Sequence, residues 1–328
     1  MKENILNVED FSQIITKHIE SIEYPSSPHT LYDPVNYILN IGGKRFRPIM
    51  LLLAQQLYES NYEKAIPAAL AIEIFHNFTL VHDDIMDNAD LRRNQHTVHK
   101  KWDINTGILS GDAMLIMAFQ QLSKLDKKYF ADVYKIFNQT ALEVCEGQQY
   151  DMDYEKNHDI SVEHYLKMIE LKTSVLIAGA LKMGAIIGGA KPDDQELLYK
   201  LGINLGLGFQ LQDDYLDAFS DAKEFGKQTG GDIVQNKKTF MLISALSKAD
   251  EADKKELIDW LQKEEFDREE KVNAVKNIYQ KLEIDSITKD ICELYFRNAH
   301  DCLLDVDVPT TKKQKIFELI EILRIRQK

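Results

Sequence analysis

Apolar residues return along most of this chain at the three- and four-residue steps of an α-helix. Val8, Phe11, Ile15, Ile19 and Ile22 mark one such face near the start. Tyr37-Ile38-Leu39 and Pro48 to Leu57 continue the pattern, with Pro48 suited to a helix's first turn. Long apolar runs follow from Ala68 through Val81 and from Leu201 through Leu211. Ser161 to Leu171, Asp193 to Phe209 and Phe240 to Lys248 read the same way. Asp253 to Asp285 is charge-rich yet keeps Leu257, Trp260 and Leu261 at helical spacing, as a solvated outer face would. No β-branched run alternates and no Asn-Gly pair signals a hairpin. The pattern predicts an all-α protein. Pro25, Pro28 and Pro34 read as one short loop.

Ser174 to Ala190 is the most membrane-like stretch. Lys182 interrupts it, glycine is frequent, and it falls short of the ~20 residues that span a bilayer. It reads as a buried helix whose small residues admit close neighbours, and no stable membrane insertion is expected. No Pro/Gly/Ser-rich linker divides the chain, so residues 1–328 are expected to form a single domain.

The formal net charge of −13 has no basic stripe set against it, which disfavours a nucleic-acid partner. Cys145, Cys292 and Cys302 show no metal-ligand or disulfide spacing and read as reduced thiols. The first residues run into Glu9-Asp10 without an apolar leader core. A cytoplasmic protein is the expectation.

One acidic pattern changes the picture. Asp83-Asp84-Ile85-Met86-Asp87 is matched by Asp213-Asp214-Tyr215-Leu216-Asp217. The first and last Asp of each copy stand four apart, neighbours on one helix face. Carboxylates held that close repel unless a cation sits between them. Two such pairs facing each other would suit Mg²⁺, which keeps waters and shares its sphere with phosphate oxygens. The pattern therefore points to a diphosphate substrate. Either copy alone fits a solvated acidic turn. Both follow long apolar runs, however, where unpaired carboxylates cost desolvation energy.

Basic groups flank these motifs. Arg92-Arg93 follows the first copy, as a fork for phosphate oxygens or an ordinary surface ion pair. Gly42-Gly43-Lys44-Arg45-Phe46-Arg47-Pro48 has the glycines, cations and helix-starting proline of an anion-binding loop. His76 shares a helix face with Asp83, since seven steps of about 100° nearly complete two turns. Beyond the second copy come Gly226-Lys227, Gly230-Gly231-Asp232 and Asn236-Lys237-Lys238-Thr239, which fit a lysine-bearing flap or a solvated loop equally well.

Taken in order, these landmarks resemble the trans-prenyltransferases, the polyprenyl or isoprenyl diphosphate synthases, of short-chain farnesyl or geranylgeranyl type. Gly111-Asp112, Glu146-Gly147-Gln148 with Asp151, Lys172-Thr173 and Phe209-Gln210 extend the resemblance. It implies a large antiparallel helical bundle around a deep central cavity, usually a homodimer. It implies Mg²⁺, three ions per active site with Mn²⁺ able to substitute, bound by Asp83, Asp87 and Asp213 with Asp84 and Asp217 in support. Arg92, Lys172, Lys227 and Lys237 would grip the allylic diphosphate. Lys44, Arg47, His76 and Arg93 would hold isopentenyl diphosphate, and Thr173 and Gln210 would direct oxygen dipoles at the nascent cation. The implied reaction is head-to-tail condensation of isopentenyl diphosphate with dimethylallyl, geranyl or farnesyl diphosphate, giving a C15 or C20 all-trans product and diphosphate.

Two positions depart from the pattern. Asn94 and Asn236 stand where glycine is common, although asparagine tolerates a left-handed backbone. By resemblance, Phe78 and Thr79 upstream of the first motif set a short product; on an ideal helical wheel Phe78 lies roughly opposite the Asp face. Three alternatives remain. A longer-chain synthase would make the same bond. A class I terpene cyclase has no use for a second Asp triad or for Lys44 and Arg47. A non-catalytic synthase subunit usually loses a motif that this chain keeps.

Overall fold

Ser161, Thr239, Asp250 and Asp267 each stand one residue before a helix. Each side-chain oxygen accepts a backbone N–H three residues on, which satisfies a donor the helix cannot use itself. The computed structural model describes residues 6–156, 160–220 and 229–325. Helices dominate them: α1 (Val8–Glu20), α2 (His29–Asn40), α3 (Phe46–Gln56), α4 (Ile66–Met86), α5 (Val98–Lys101), α6 (Ile104–Leu122), α7 (Lys127–Lys156) and α8 (Val162–Ile169). A π-helical turn, Glu170–Ser174, leads into α9 (Val175–Gly188) and α10 (Pro192–Phe219). After these come α11 (Gly231–Val234), α12 (Phe240–Lys248), α13 (Glu251–Gln262), α14 (Arg268–Lys281), α15 (Ile284–Asp305) and α16 (Thr310–Arg324). The all-α expectation holds.

The chain forms two compact units. One gathers the residues up to Ala141 with Gly179–Tyr199 and Val306–Ile316. In it α4 packs on α3 and α6, and α2 packs on α6. The periodic face of α1 buries Phe11, Ile15 and Ile19 against α3 and α4. Each such side chain contributes about 1.5–3 kcal/mol by leaving water. Small residues set some of these spacings: a Cβ on Gly184 would strike the Leu51 carbonyl oxygen. The other unit gathers Leu142–Ala178, Lys200–Asp305 and the segment from Phe317. There α12 packs on α8, α14 and α15, and α14 also packs on α11, α13 and α15.

Three readings need correction. Pro34 lies inside α2 rather than in the preceding loop, and its missing N–H removes one intrahelical bond. A hairpin was not expected, yet Leu91–Arg92 and Gln95–His96 pair antiparallel as β1 and β2. Arg93 and Asn94 turn it with φ of 51° and 61°, the left-handed pair that a two-residue hairpin needs. The charge-rich stretch from Asp253 to Asp285 is also less solvated than its composition suggests: Leu257, Lys271, Val275, Ile278 and Tyr279 are buried.

Among the described residues two stretches, Tyr62–Met86 and Val162–Gly188, are long and apolar enough to cross a bilayer, and both are mostly buried within the protein. The second contains most of the membrane-like stretch read as a buried helix.

Candidate active site

In the first unit the site begins with the loop before α3. Gly42 and Gly43 have φ of 92° and 140°, a backbone that side chains resist. A Cβ on Gly43 would come within 2.7 Å of the Arg93 guanidinium. Arg93 instead reaches past it and donates to the Gly42 carbonyl. Arg45 is buried, donating to Glu73 at 2.6 Å and to the Leu39 carbonyl at 2.5 Å. Asn77 adds a bond to the same Glu73 oxygen at 3.0 Å. This pair, which pins the loop to α4, was not singled out from the sequence; its signal is an isolated acid inside the apolar run from Ala68 to Val81.

Arg47 Nη1 lies 3.0 Å from His76 Nε2. A guanidinium only donates, so Nε2 must be the bare nitrogen of a neutral ring. Burial first, then Arg47, Arg93, Arg92 and Arg45, hold the His76 pKa well below 6.5. Burial likewise pulls Arg47 down to about 10. Cations crowded around a neutral imidazole create a positive field that favours an anion. Lys44, in the same loop, is exposed.

The first acidic motif ends α4. Asp84 turns inward, 1% exposed, and receives the Arg92 guanidinium at 2.7–2.9 Å. Asp83 is half-buried and Asp87 exposed, so the four-residue pair stays at the surface. Arg92 and Arg93 therefore tie the acidic motif to the glycine loop through one hairpin. Tyr37 braces that hairpin by donating to the His96 carbonyl at 2.8 Å. Gly111 lets the His82 ring fit against α6, 3.2 Å from the Ile108 carbonyl.

In the second unit the same logic recurs. Asp214, 2% exposed, accepts from the Tyr165 hydroxyl and from Gln210 Nε2, the latter at 3.2 Å. Thr173 donates to Gln210 Oε1 at 3.3 Å, so Thr173, Gln210, Asp214 and Tyr165 form one chain of bonds. Asp213 and Asp217 remain half-buried. Thr173 and Lys172 sit on the π-turn, a distortion that often marks functional positions. Gly147 allows that turn to lie against α7, and Lys172 pairs with Asp151 at 2.5 Å.

Asp232, named in the sequence only as part of a loop, joins this group. Its N–H donates to Asp217 Oδ2 at 2.9 Å, and its carboxylate lies 3.5 Å from Lys237 Nζ. Burial and then Asp217 raise the Asp232 pKa, while Lys237 opposes them. Burial also pushes Asp214 up to about 6. Lys227 lies outside the described residues.

Among the described residues no three His, Cys, Asp or Glu side chains gather closely enough to hold a metal alone. Asp83 with Asp87, and Asp213 with Asp217, still fit Mg²⁺, which takes few protein carboxylates and completes its octahedron with water and phosphate oxygens. Asp217 beside Asp232 in one unit, and the carboxylate pair at the C-terminus of α4 in the other, are like charges whose repulsion a cation relieves.

The sequence pattern of polyprenyl synthetases matches residues 28–281. A geranylgeranyl diphosphate synthase of Methanosarcina mazei is 40% identical over 74% of this chain and 75% of its own length. One from Sulfolobus acidocaldarius is 35% identical over 91% of both chains. A crystal structure of a geranylgeranyl pyrophosphate synthase superimposes with a TM-score of 0.93 at 45% identity, covering 98% of this chain and all of the other.

Proposed function

The chain belongs to the polyprenyl synthetase family, and from that premise we propose that this prenyltransferase joins isopentenyl diphosphate head-to-tail to allylic diphosphates, giving a short all-trans prenyl diphosphate. One observation carries the reading: a single hairpin, Arg92-Arg93, bonds the first acidic motif on one side and the cationic glycine loop on the other. Such a turn puts a metal-binding edge and an anion pocket within reach of two diphosphates.

The hard step is cleavage of the allylic carbon–oxygen bond, with its electron pair leaving on diphosphate. Asp83, Asp87 and Asp213, with Asp84 and Asp217 in support, would hold a divalent cation, which would supply countercharge to that leaving group. Mg²⁺, three ions per site, is the proposed metal, and Mn²⁺ substitutes. Arg92, Lys172, Lys237 and Lys227 grip the same diphosphate, acting where negative charge grows. Lys44, Arg47, His76 and Arg93 hold isopentenyl diphosphate. Its double bond attacks the allylic carbon, a carbon–carbon bond forms, and a proton leaves to the released diphosphate. Gln210 bonds Asp214 and Thr173 bonds Gln210, and the oxygens of both residues stabilise passing positive charge. Water must stay out, because it would quench the cation.

We further propose C20 as the main product, following the geranylgeranyl synthases named above, with C15 as the shorter outcome. Phe78 is buried with its ring 5.5 Å from Phe75 and 4.8 Å from His82, which suits a stop for a growing tail. A single domain over 1–328 is proposed because the divisions between units at Ala141, Ala178 and Tyr199 fall inside α7, α9 and α10. A homodimer fits the exposed Ile104, Ile108, Leu109 and Ile116 on α6 beside Phe130 and Tyr134 on α7. Work in the cytoplasm is proposed with it.

One incubation tests the core reading. Purified protein, isopentenyl diphosphate, Mg²⁺ and each of the dimethylallyl, geranyl and farnesyl diphosphates are combined and the products sized. Chain extension ending at C20 is expected. No extension from any primer ends the proposal.

A further inference from the structure

Lys271 on α14 is 0% exposed, an unusual place for an ammonium group. Among the described residues no carboxylate pairs with it. Its Nζ donates to Asn236 Oδ1 at 2.6 Å, reaches the Val234 carbonyl at 3.5 Å and lies 4.2 Å from the Phe266 ring centre. Burial lowers its pKa. A buried cation without countercharge costs free energy, so this lysine is poorly explained as a stabiliser.

What it holds is specific. Asn236 follows α11 in a left-handed conformation, with φ of 57°. Its N–H returns to the Ile233 carbonyl at 3.2 Å, and the N–H of Lys237 returns to the Asp232 carbonyl at 2.9 Å. These two bonds are the Schellman ending of a helix, in which the left-handed residue is usually glycine. Here the side chain of Asn236 does further work. Its Oδ1 accepts the hydrogen bond from Lys271 Nζ, and its Nδ2 donates to the Leu261 carbonyl at 2.9 Å. On the other side, Lys238 Nζ is fixed to the carbonyls of Tyr154 and Glu155 at 2.7 and 3.1 Å. Lys237 stands between two anchored neighbours, with its ammonium turned to Asp232.

We propose that Lys271 is a positioning residue: through Asn236 it locks the turn that aims Lys237 at the diphosphate held by the second acidic motif. A glycine turn would leave this segment more backbone freedom, and the Asn236–Lys271 pair removes it. The proposal rests on the prenyltransferase reading for its kinetic consequence, and on the described turn alone for its structural one.

The test uses the full chain as Lys271→Met, Asn236→Gly and the double variant. Lys271→Met should melt no lower than the wild type, because a buried charge is lost. Amide exchange at Asn236 and Lys237 should speed by roughly tenfold or more in both single variants. The KM for the allylic diphosphate should rise roughly tenfold while that for isopentenyl diphosphate stays put, and the double variant should be no worse than either single one. Unchanged exchange in both single variants overturns the proposal. So does an equal rise in both KM values, or additive effects in the double variant. If Lys271→Met fails to fold, Asn236→Gly decides alone by the same exchange and KM criteria. Absence of any turnover in the wild type would sink the functional reading instead, and the exchange rates would still judge the turn.

Discussion

Arg92 closes a fork of hydrogen bonds on Asp84, at 2.7 Å from Nη2 and 2.9 Å from Nε. The middle aspartate of the first motif thereby holds the hairpin and supports the metal edge through it, while Asp83 is half-buried and Asp87 exposed. Asp84→Ala should act mainly on stability, lowering it by about 1.5–3 kcal/mol as hydrogen bonds to a charged group are lost. Asp87→Ala, at an exposed position, should leave the melting curve nearly unchanged and depress turnover. Denaturant melts beside initial rates separate the two; equal melts for both variants would refute the division of roles.

Asp83→Ala and Asp213→Ala should each cut turnover by roughly a hundredfold or more with the fold intact, since charge stabilisation of a leaving group is a large part of catalysis. Circular dichroism checks the fold and product formation at saturating Mg²⁺ checks the rate. Near-normal rates in both variants would reject their metal roles.

His76 makes stability pH-dependent. Its folded pKa lies well below the ordinary 6.5 because of burial and the surrounding guanidinium groups. Below that value the unfolded chain binds a proton that the folded chain refuses. The stability tied to this ring is therefore fully present above pH 6.5 and lost on acidification. About 1 kcal/mol should disappear between about pH 7 and 5.5. His76→Gln should flatten that part of the profile in urea melts, and an unchanged slope would contradict the assignment.

Phe78→Ala should lengthen the product by one or more isoprene units, because removing a buried ring leaves a cavity beside Phe75 and His82. Products sized by chromatography decide it. An unaltered distribution removes Phe78 as the stop.

Leu109 and Ile116 are 59% and 58% exposed on one face of α6. Leu109→Asp with Ile116→Asp should turn a dimer into a monomer in sedimentation equilibrium. A wild type that is itself monomeric, or a double variant that stays dimeric, excludes this face as the interface.

The sequence by itself determined the helical class, the stretches that become core helices and the four-residue spacing within each carboxylate pair. All of these follow from local periodicity: 3.6 residues per turn brings Asp83 beside Asp87 and Phe11 beside Ile15, whatever the rest of the chain does. Asn94 and Asn236 also kept their promise as left-handed turn residues, at φ of 61° and 57°. Tertiary structure alone decided which carboxylates are consumed inside. Asp84 and Asp214 look like their neighbours in the chain, and only Arg92 and Tyr165, eight and forty-nine residues away, single them out. It likewise brought Arg45 to Glu73 and buried Lys271 against Asn236, pairs that no local spacing relates. Burial and long-range hydrogen bonding depend on which surfaces meet, and a linear pattern carries that information only once the helices have packed.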